Sequence, residues 1–304
     1  MSLTTAMIAP LNQPKTLSHK QTIMPELPEV ETIARTLRPM VVGRRVTAAR
    51  VLLPRVVHTL SLPLANLCGR RIADVTRRGK LVLLVLEPEL DGASAATEQP
   101  DILAVHLRMT GRLFVYPTGQ AAGKHTRVML DFDDGHSLFF DDARTFGLLF
   151  LGTATLRQRW NFWRTLGAEP LQMQGTALYD AVQGRRAAIK AVLLDQKVLA
   201  GVGNIYADEA LFRAGIDPRR PASSLRQAEG CTLLACVQAV LRESIAQCGS
   251  SIRDYRDAHG DAGAFQNFFH VYGRAGQPCH GCATTLERCT VAGRGTVFCA
   301  HCQH

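Results

Sequence analysis

Residues 279–302 read CHGCATTLERCTVAGRGTVFCAHC. Two Cys-x-x-Cys pairs, Cys279/Cys282 and Cys299/Cys302, flank sixteen residues. That is the spacing of a four-thiolate zinc site, in which each pair wraps one side of a tetrahedral ion. With Zn–S distances of about 2.3 Å the two pairs must meet, so the segment between them is expected to fold back as a β-hairpin. Four protein ligands leave no open position for water, so one structural Zn2+ is expected. Cys289 falls on the hairpin as a spectator thiol, and His280 and His301 read as surface residues. Gly293-Arg294-Gly295-Thr296 marks the hairpin tip. Arg294 there is either a plain exposed turn residue or a cation able to reach a phosphate.

Working outward, the tail from Tyr272 is rich in Gly and Cys and too short for a core of its own. Before it, Thr176–Val182, Ala187–Leu194, Ala207–Ala214 and Leu225–Cys248 have helical spacing, broken at Gly201-Val202-Gly203-Asn204 and at Asp217-Pro218. From Val46 to Phe150 the pattern is strand-like. Apolar runs at Leu81–Leu86, Ile102–Val105, Val128–Phe132 and Ser137–Phe140 alternate with turn signals such as Asp133-Asp134-Gly135. Asp91–Pro100 reads as a loop, and Glu29–Leu37 as a leading helix with Val30, Ile33, Ala34 and Leu37 on one face. The expected fold is α+β and multidomain: an N-terminal β-sandwich or barrel, a helical domain and a metal-stapled hairpin.

The 304 residues suit two domains or slightly more. A formal charge of +9, carried mostly by Arg, suits a polyanion such as nucleic acid, with an acidic membrane surface as the rival partner. No stretch approaches the ~18 apolar residues that span a bilayer. Nine cysteines without a secretory signal point to a reducing compartment, where paired cysteines favour metal over disulfide.

At the other end stands Met24-Pro25-Glu26-Leu27-Pro28-Glu29-Val30-Glu31. If translation starts at Met24 and the methionine is removed, Pro25 presents a secondary amine that can attack an aldehyde-like carbon and form an iminium. A chain that begins at Met1 leaves the Pro25 nitrogen an amide, its lone pair delocalised and unreactive. Residues 1–23 lack a signal-peptide core and read as a disordered extension or a mis-assigned start. Taken alone, Pro25 and Glu26 also fit an ordinary helix start.

These motifs resemble the formamidopyrimidine-DNA glycosylase family. The resemblance runs from Pro25 through Arg78-Gly79-Lys80, His106-Leu107-Arg108-Met109-Thr110-Gly111, Lys124-His125, Arg144-Thr145-Phe146-Gly147, Gly201–Ala207 and Val271-Tyr272-Gly273-Arg274 to the cysteine hairpin. It implies a bifunctional glycosylase/AP lyase that excises oxidised purines (8-oxoguanine and formamidopyrimidines) from double-stranded DNA. The implied fold is a β-sandwich at 24–152, a helix-two-turn-helix domain at 153–262 and a zinc finger at 263–304. By the resemblance, Pro25 is the nucleophile, Glu26 the general acid, Lys80 a phosphate contact that assists proton transfer, and Arg294 the phosphate clamp that aids the second elimination. Asn204 resembles a phosphate-binding residue at a helix N-terminus, itself an anion site. Met109, Arg144 and Phe146 match residues that fill the space left by a flipped nucleotide, although Met109 and Phe146 alone would suit a core. His125 and Arg186 match backbone contacts, and each alone reads as a surface residue. The loop around Gly249–Tyr255 is expected to cover the flipped base.

The resemblance further implies a cytoplasmic, nucleoid-associated monomer that also acts on abasic sites, with no membrane role. Two other readings stay open: a catalytically silent, zinc-dependent binder of damaged DNA if the extension is retained, and a Nei-like glycosylase for oxidised pyrimidines. Leu27, where the Nei branch has Gly, favours the purine reading. Thr145 departs from the family, which commonly has Arg there, and removes one cation near the DNA. Thr145→Arg is expected to steepen the salt dependence of binding by about one unit.

Overall fold

The structure, a computed structural model, describes residues 24–88, 99–250 and 257–304. The extension 1–23, nearly all of the expected loop at Asp91–Pro100 and most of the expected base-covering loop lie outside these residues.

Helix α1 (Leu27–Val41) starts two residues before the apolar spacing suggests, because Pro28 fits the first turn and Glu29 takes up the free Glu26 N–H at 2.9 Å. Two four-stranded antiparallel sheets follow. The first has the order β1 (Val46–Val51), β6 (Thr126–Phe132), β7 (His136–Asp142), β5 (Gly111–Pro117). The second has β2 (Ile72–Arg78), β3 (Leu81–Leu86), β4 (Ile102–His106), β8 (Leu148–Gly152).

Alternate residues of the two sheets meet in one core: Val82, Leu84, Leu103, Val105, Leu149 and Leu151 face Val128, Leu130, Phe132, Leu138 and Phe140. The opposite face of the second sheet (Leu81, Leu83, Ile102, Ala104, Phe150) is covered by Trp160, which stacks on Phe150 at 4.7 Å. Burial on both faces explains why β3 is apolar throughout rather than alternating. Val30, Ile33, Ala34, Leu37 and Val41 of α1 join the sandwich core, whereas Leu27 belongs to a second core. The first helix therefore stitches the two halves together.

That second core is helical. Short α2 (Ala154–Arg159) and α3 (Asn161–Arg164) lead from the sandwich, with Thr153 capping α2 through the Leu156 N–H at 3.1 Å. They escape a sequence reading because neither is long enough to show a period. Next come α4 (Ala177–Val182), α5 (Ile189–Leu194), α6 (Asn204–Arg213) and α7 (Gln227–Ala246). The expected helix at Ala207–Ala214 begins earlier, at Asn204, directly after the Gly-Val-Gly turn.

The chain ends in the hairpin β9 (Glu287–Val291) and β10 (Arg294–Phe298), paired Val291 to Arg294. Its two turn residues, Ala292 and Gly293, both have positive φ, as a tight hairpin turn demands. The fold is thus an α+β assembly of sandwich, helical domain and cysteine-rich hairpin.

Candidate active site

Between the sandwich and the helical half lies a cleft of about 570 Å³, lined among others by Met24, Glu26, Lys80, Met109, Arg144, Asn204, Tyr272 and Arg294. Residues spread over some 270 positions of sequence converge there. Pro25, half-buried, stands between the two lining residues Met24 and Glu26.

Glu26 is 4 % exposed, and its Oε1 accepts the Ile205 N–H at 3.3 Å. Its Oε2 has no hydrogen-bond partner among the described residues. Burial pushes the carboxyl up to about 7; Lys80 draws it down, Glu29 adds to the rise, and the N–H groups of Ile205 and Tyr206 oppose it. An acid that holds its proton near neutrality, with one oxygen unengaged at a cleft, is equipped to donate that proton. The approach of Glu26 to α6 depends on Gly203: a Cβ there would stand 2.2 Å from the Glu26 Cδ.

Lys80 sits in the two-residue turn between β2 and β3, where Gly79 supplies a φ of +55°. A clamp from the other half fixes that turn. Glu169 accepts the Gly79 N–H at 2.6 Å and pairs with Arg77 at 2.8 Å and Arg78 at 2.9 Å. Lys80 itself is buried, and burial lowers its ammonium pKa against the pull of Glu26 and Glu29.

Beneath Glu26 lies a polar network. Glu29 accepts Tyr206 O–H at 2.5 Å and Ser250 N–H at 2.8 Å, and Tyr206 also meets Ser244 at 2.7 Å. Burial raises the Glu29 carboxyl pKa and drives that of Tyr206 well above its usual value.

Arg294, exposed at the start of β10, faces the cleft from the hairpin, and Asn204 donates to the neighbouring Gly295 carbonyl at 3.0 Å. Arg144 lies over the Phe146 ring at 4.8 Å, and Phe146 is 54 % exposed, so it is no core residue. Asp142 shapes their loop by accepting Thr110 O–H at 2.5 Å and the Gly147 N–H at 2.7 Å. Met109 joins the cleft wall. His125 and Arg186 are exposed and do not line the cleft.

The sulfur atoms of Cys279, Cys282, Cys299 and Cys302 lie within 4.8 Å of one another, with Cys279 to Cys302 at 4.0 Å and Cys282 to Cys299 at 3.5 Å. A tetrahedral ion with bonds of about 2.3 Å separates its sulfurs by about 3.8 Å, so the four side chains fit a metal. Cys289 stands apart on β9.

Sequence reading missed the Glu169 clamp, the Glu29–Tyr206 network and a buried pair, Lys190 and Asp208, at 2.6 Å. A Lys in the otherwise apolar segment Ile189–Leu194 was the only signal of the last.

A cleft of this size, cationic at its rim and holding a buried acid, suits one nucleotide drawn out of a duplex, and fold and site together define a base-excision DNA glycosylase. Residues 24–149 match the family model of the formamidopyrimidine-DNA glycosylase N-terminal domain, and residues 166–256 that of its H2TH domain. The chain belongs to the formamidopyrimidine-DNA glycosylase family. It is 44% identical to the enzyme of that name from Nitratidesulfovibrio vulgaris, over 92% of this chain and 100% of the relative. The Chloroflexus aurantiacus enzyme is 43% identical, over 92% and 98%. Among solved structures, MutM (Fpg) of Thermus thermophilus superposes with TM-score 0.79 at 40% identity, covering 92% of this chain and 98% of that one. A Lactococcus lactis Fpg variant bound to Fapy-dG-containing DNA gives 0.81 at 31%, covering 92% and 100%. No helix among the described residues is long and apolar enough to cross a membrane.

Proposed function

We propose that this protein is a bifunctional DNA glycosylase/AP lyase that removes oxidised purines, chiefly 8-oxoguanine and formamidopyrimidines, from double-stranded DNA. The observation that carries the reading is the Glu26 carboxyl, buried, its pKa pushed up to about 7 and one of its oxygens without a hydrogen-bond partner among the described residues, in the cleft wall next to Pro25. The family match begins at Met24, which supports translation from that methionine and a mature N-terminal Pro25. A free α-amine has a pKa near 8 against about 10.4 for lysine, so far more of it is neutral and nucleophilic at pH 7.

In this reading the Pro25 nitrogen attacks C1′, the glycosidic bond breaks, and the base leaves with the electron pair and a proton. Glu26 donates a proton to the ring oxygen or the departing base, and the C1′–O4′ bond opens to an iminium. The iminium acidifies C2′; loss of that proton expels the 3′ phosphate with the C3′–O pair. Loss of the C4′ proton then expels the 5′ phosphate, and water releases the sugar remnant and restores the amine. Lys80 contacts the phosphates and assists proton transfer, Arg294 and Asn204 clamp the flanking phosphate, and Met109, Arg144 and Phe146 fill the vacated stack. His125 and Arg186 contact backbone further out. The four cysteines hold one structural Zn2+, which keeps the Arg294 hairpin folded. The protein works as a monomer in the cytoplasm, associated with the nucleoid through its DNA.

The test is borohydride trapping on an 8-oxoguanine·cytosine duplex, followed by peptide mapping, with protein made from the native gene. A cross-link at an N-terminal Pro25 supports the lyase. Binding without a cross-link, on protein that retains its first residues, favours the silent damage binder. A second reading rests on one neighbour: wild-type Lactococcus lactis Fpg has been solved with oxidised-pyrimidine DNA. Comparing excision of 8-oxoguanine and thymine glycol separates the two substrate classes.

A further inference from the structure

Lys190 is a fully buried cation, its side chain hidden from solvent, and the chemistry above gives it no part. It projects from α5 beneath the hairpin. Its ammonium forms an ion pair with Asp208 of α6 at 2.6 Å and donates hydrogen bonds to two acceptors, the Thr296 hydroxyl at 2.7 Å and the Gly295 carbonyl at 3.2 Å. Both acceptors belong to the residues next along β10 from Arg294. The same stretch is held twice more, by Asn204 on the Gly295 carbonyl at 3.0 Å and by Asp208 accepting the Val297 N–H at 3.3 Å.

A buried ion pair is a weak source of stability, since an apolar pair of similar volume often does as well. It is, however, directional. The cysteine cluster sits at the far end of the strand: Cys299 lies five residues beyond Arg294, roughly 16 Å at strand rise. A metal there folds the hairpin but leaves open where its tip meets the cleft.

We propose that Lys190 is a positioning residue, which through Gly295 and Thr296 sets the place of Arg294 at the cleft and so governs the phosphate contact and the second elimination. The inference rests on the reading of Arg294 as a phosphate clamp.

The test is a double-mutant cycle between the Lys190–Asp208 pair and Arg294. Lys190→Met/Asp208→Asn removes the ammonium without stranding a charge and keeps an acceptor for Val297. On a duplex carrying an uncleavable abasic analogue, binding is measured against salt. The pair variant and Arg294→Ala are each expected to lower the slope by about one unit, and the combination no further. On a cleavable lesion, the ratio of second to first elimination falls about tenfold in each, again without adding. Additive losses, or an unchanged slope and ratio in a folded, metal-loaded variant, overturn the proposal. If the pair variant does not fold, Thr296→Val carries the test: a threefold fall in the ratio or a shallower slope is expected, and neither changing overturns it. A wild-type protein that forms no cross-link would count against the lyase reading, while the salt slopes on the uncleavable duplex still decide the role of Lys190.

Discussion

Arg55 donates from its guanidinium to the Thr145 hydroxyl at 2.5 Å, joining the short turn Pro54–Val56 to the loop that carries Arg144 and Phe146. Thr145 is β-branched yet sits at φ +57°, a costly conformation held by the surrounding Asp142 hydrogen bonds. The cation that position 145 lacks is therefore present on the same surface, contributed from ninety residues upstream. Arg55→Ala should lower the slope of log K against log salt by about one unit, as loss of one phosphate contact does. Thr145→Arg places two guanidiniums together and should steepen it by less than one unit. A salt titration of duplex binding reads both. An unchanged slope in Arg55→Ala would mean that this arginine only braces the loop.

Glu26 links activity to pH. Excision that needs the protonated carboxyl should decline as pH rises through about 7, the folded value. The same shift acts on stability. The folded pKa is raised above the ordinary 4.5, so the contribution is fully present below 4.5 and is lost as pH rises through 7. Glu26→Gln removes that loss, so the variant should be more stable than the parent at pH 8, by up to about 3 kcal/mol, and equal to it at pH 4. Thermal unfolding at the two pH values checks the sign. Greater stability together with lost excision is the trade expected if this buried, desolvated carboxyl is the proton donor.

Gly203→Ala is a geometric test of the same residue. The added Cβ would overlap the Glu26 carboxyl at 2.2–2.6 Å, so the acid must swing away from α6. A displacement of that size should lower the excision rate by about a hundredfold. If Arg144 and Arg294 make the DNA contacts proposed for them, binding to an uncleavable abasic duplex should change little, since the three atoms nearest the new Cβ all belong to Glu26. Equal losses of binding and rate would show that the helix start, and not the acid, had been disturbed.

What the sequence made legible is what is local. The Cys-x-x-Cys spacing, the apolar run Leu81–Leu86 and the glycine turn before Asn204 each announce their structure within a few residues, and each is found. The cleft residues were legible through the family's motifs, and Glu26, Lys80, Met109, Arg144, Asn204 and Arg294 do line one space. The parts that position them were not. Glu169 reaches the Gly79–Lys80 turn across ninety residues, and Lys190 reaches β10 across more than a hundred. No periodicity encodes such pairings; a lone charge in an apolar segment is their only trace.

Removing the metal should separate the hairpin from the rest of the molecule. Its own apolar cluster is small, with Val271, Leu286 and Val297 packed against Cys279 and Cys299, whereas the sandwich and the helices each hold a core of more than twenty buried residues. Four sulfurs gathered within 4.8 Å suit an ion between them, so a metal held there would matter far more to the hairpin than to the two large cores. Chelation, or Cys282→Ser, should therefore leave the main thermal transition within a few degrees of its original position. It should also abolish specific binding to lesion DNA, because Arg294 loses its scaffold. Circular dichroism melts beside a binding isotherm measure the two effects. Loss of both together would mean that the contacts of Lys190, Asn204 and Asp208 make the hairpin part of one cooperative unit with the helical domain.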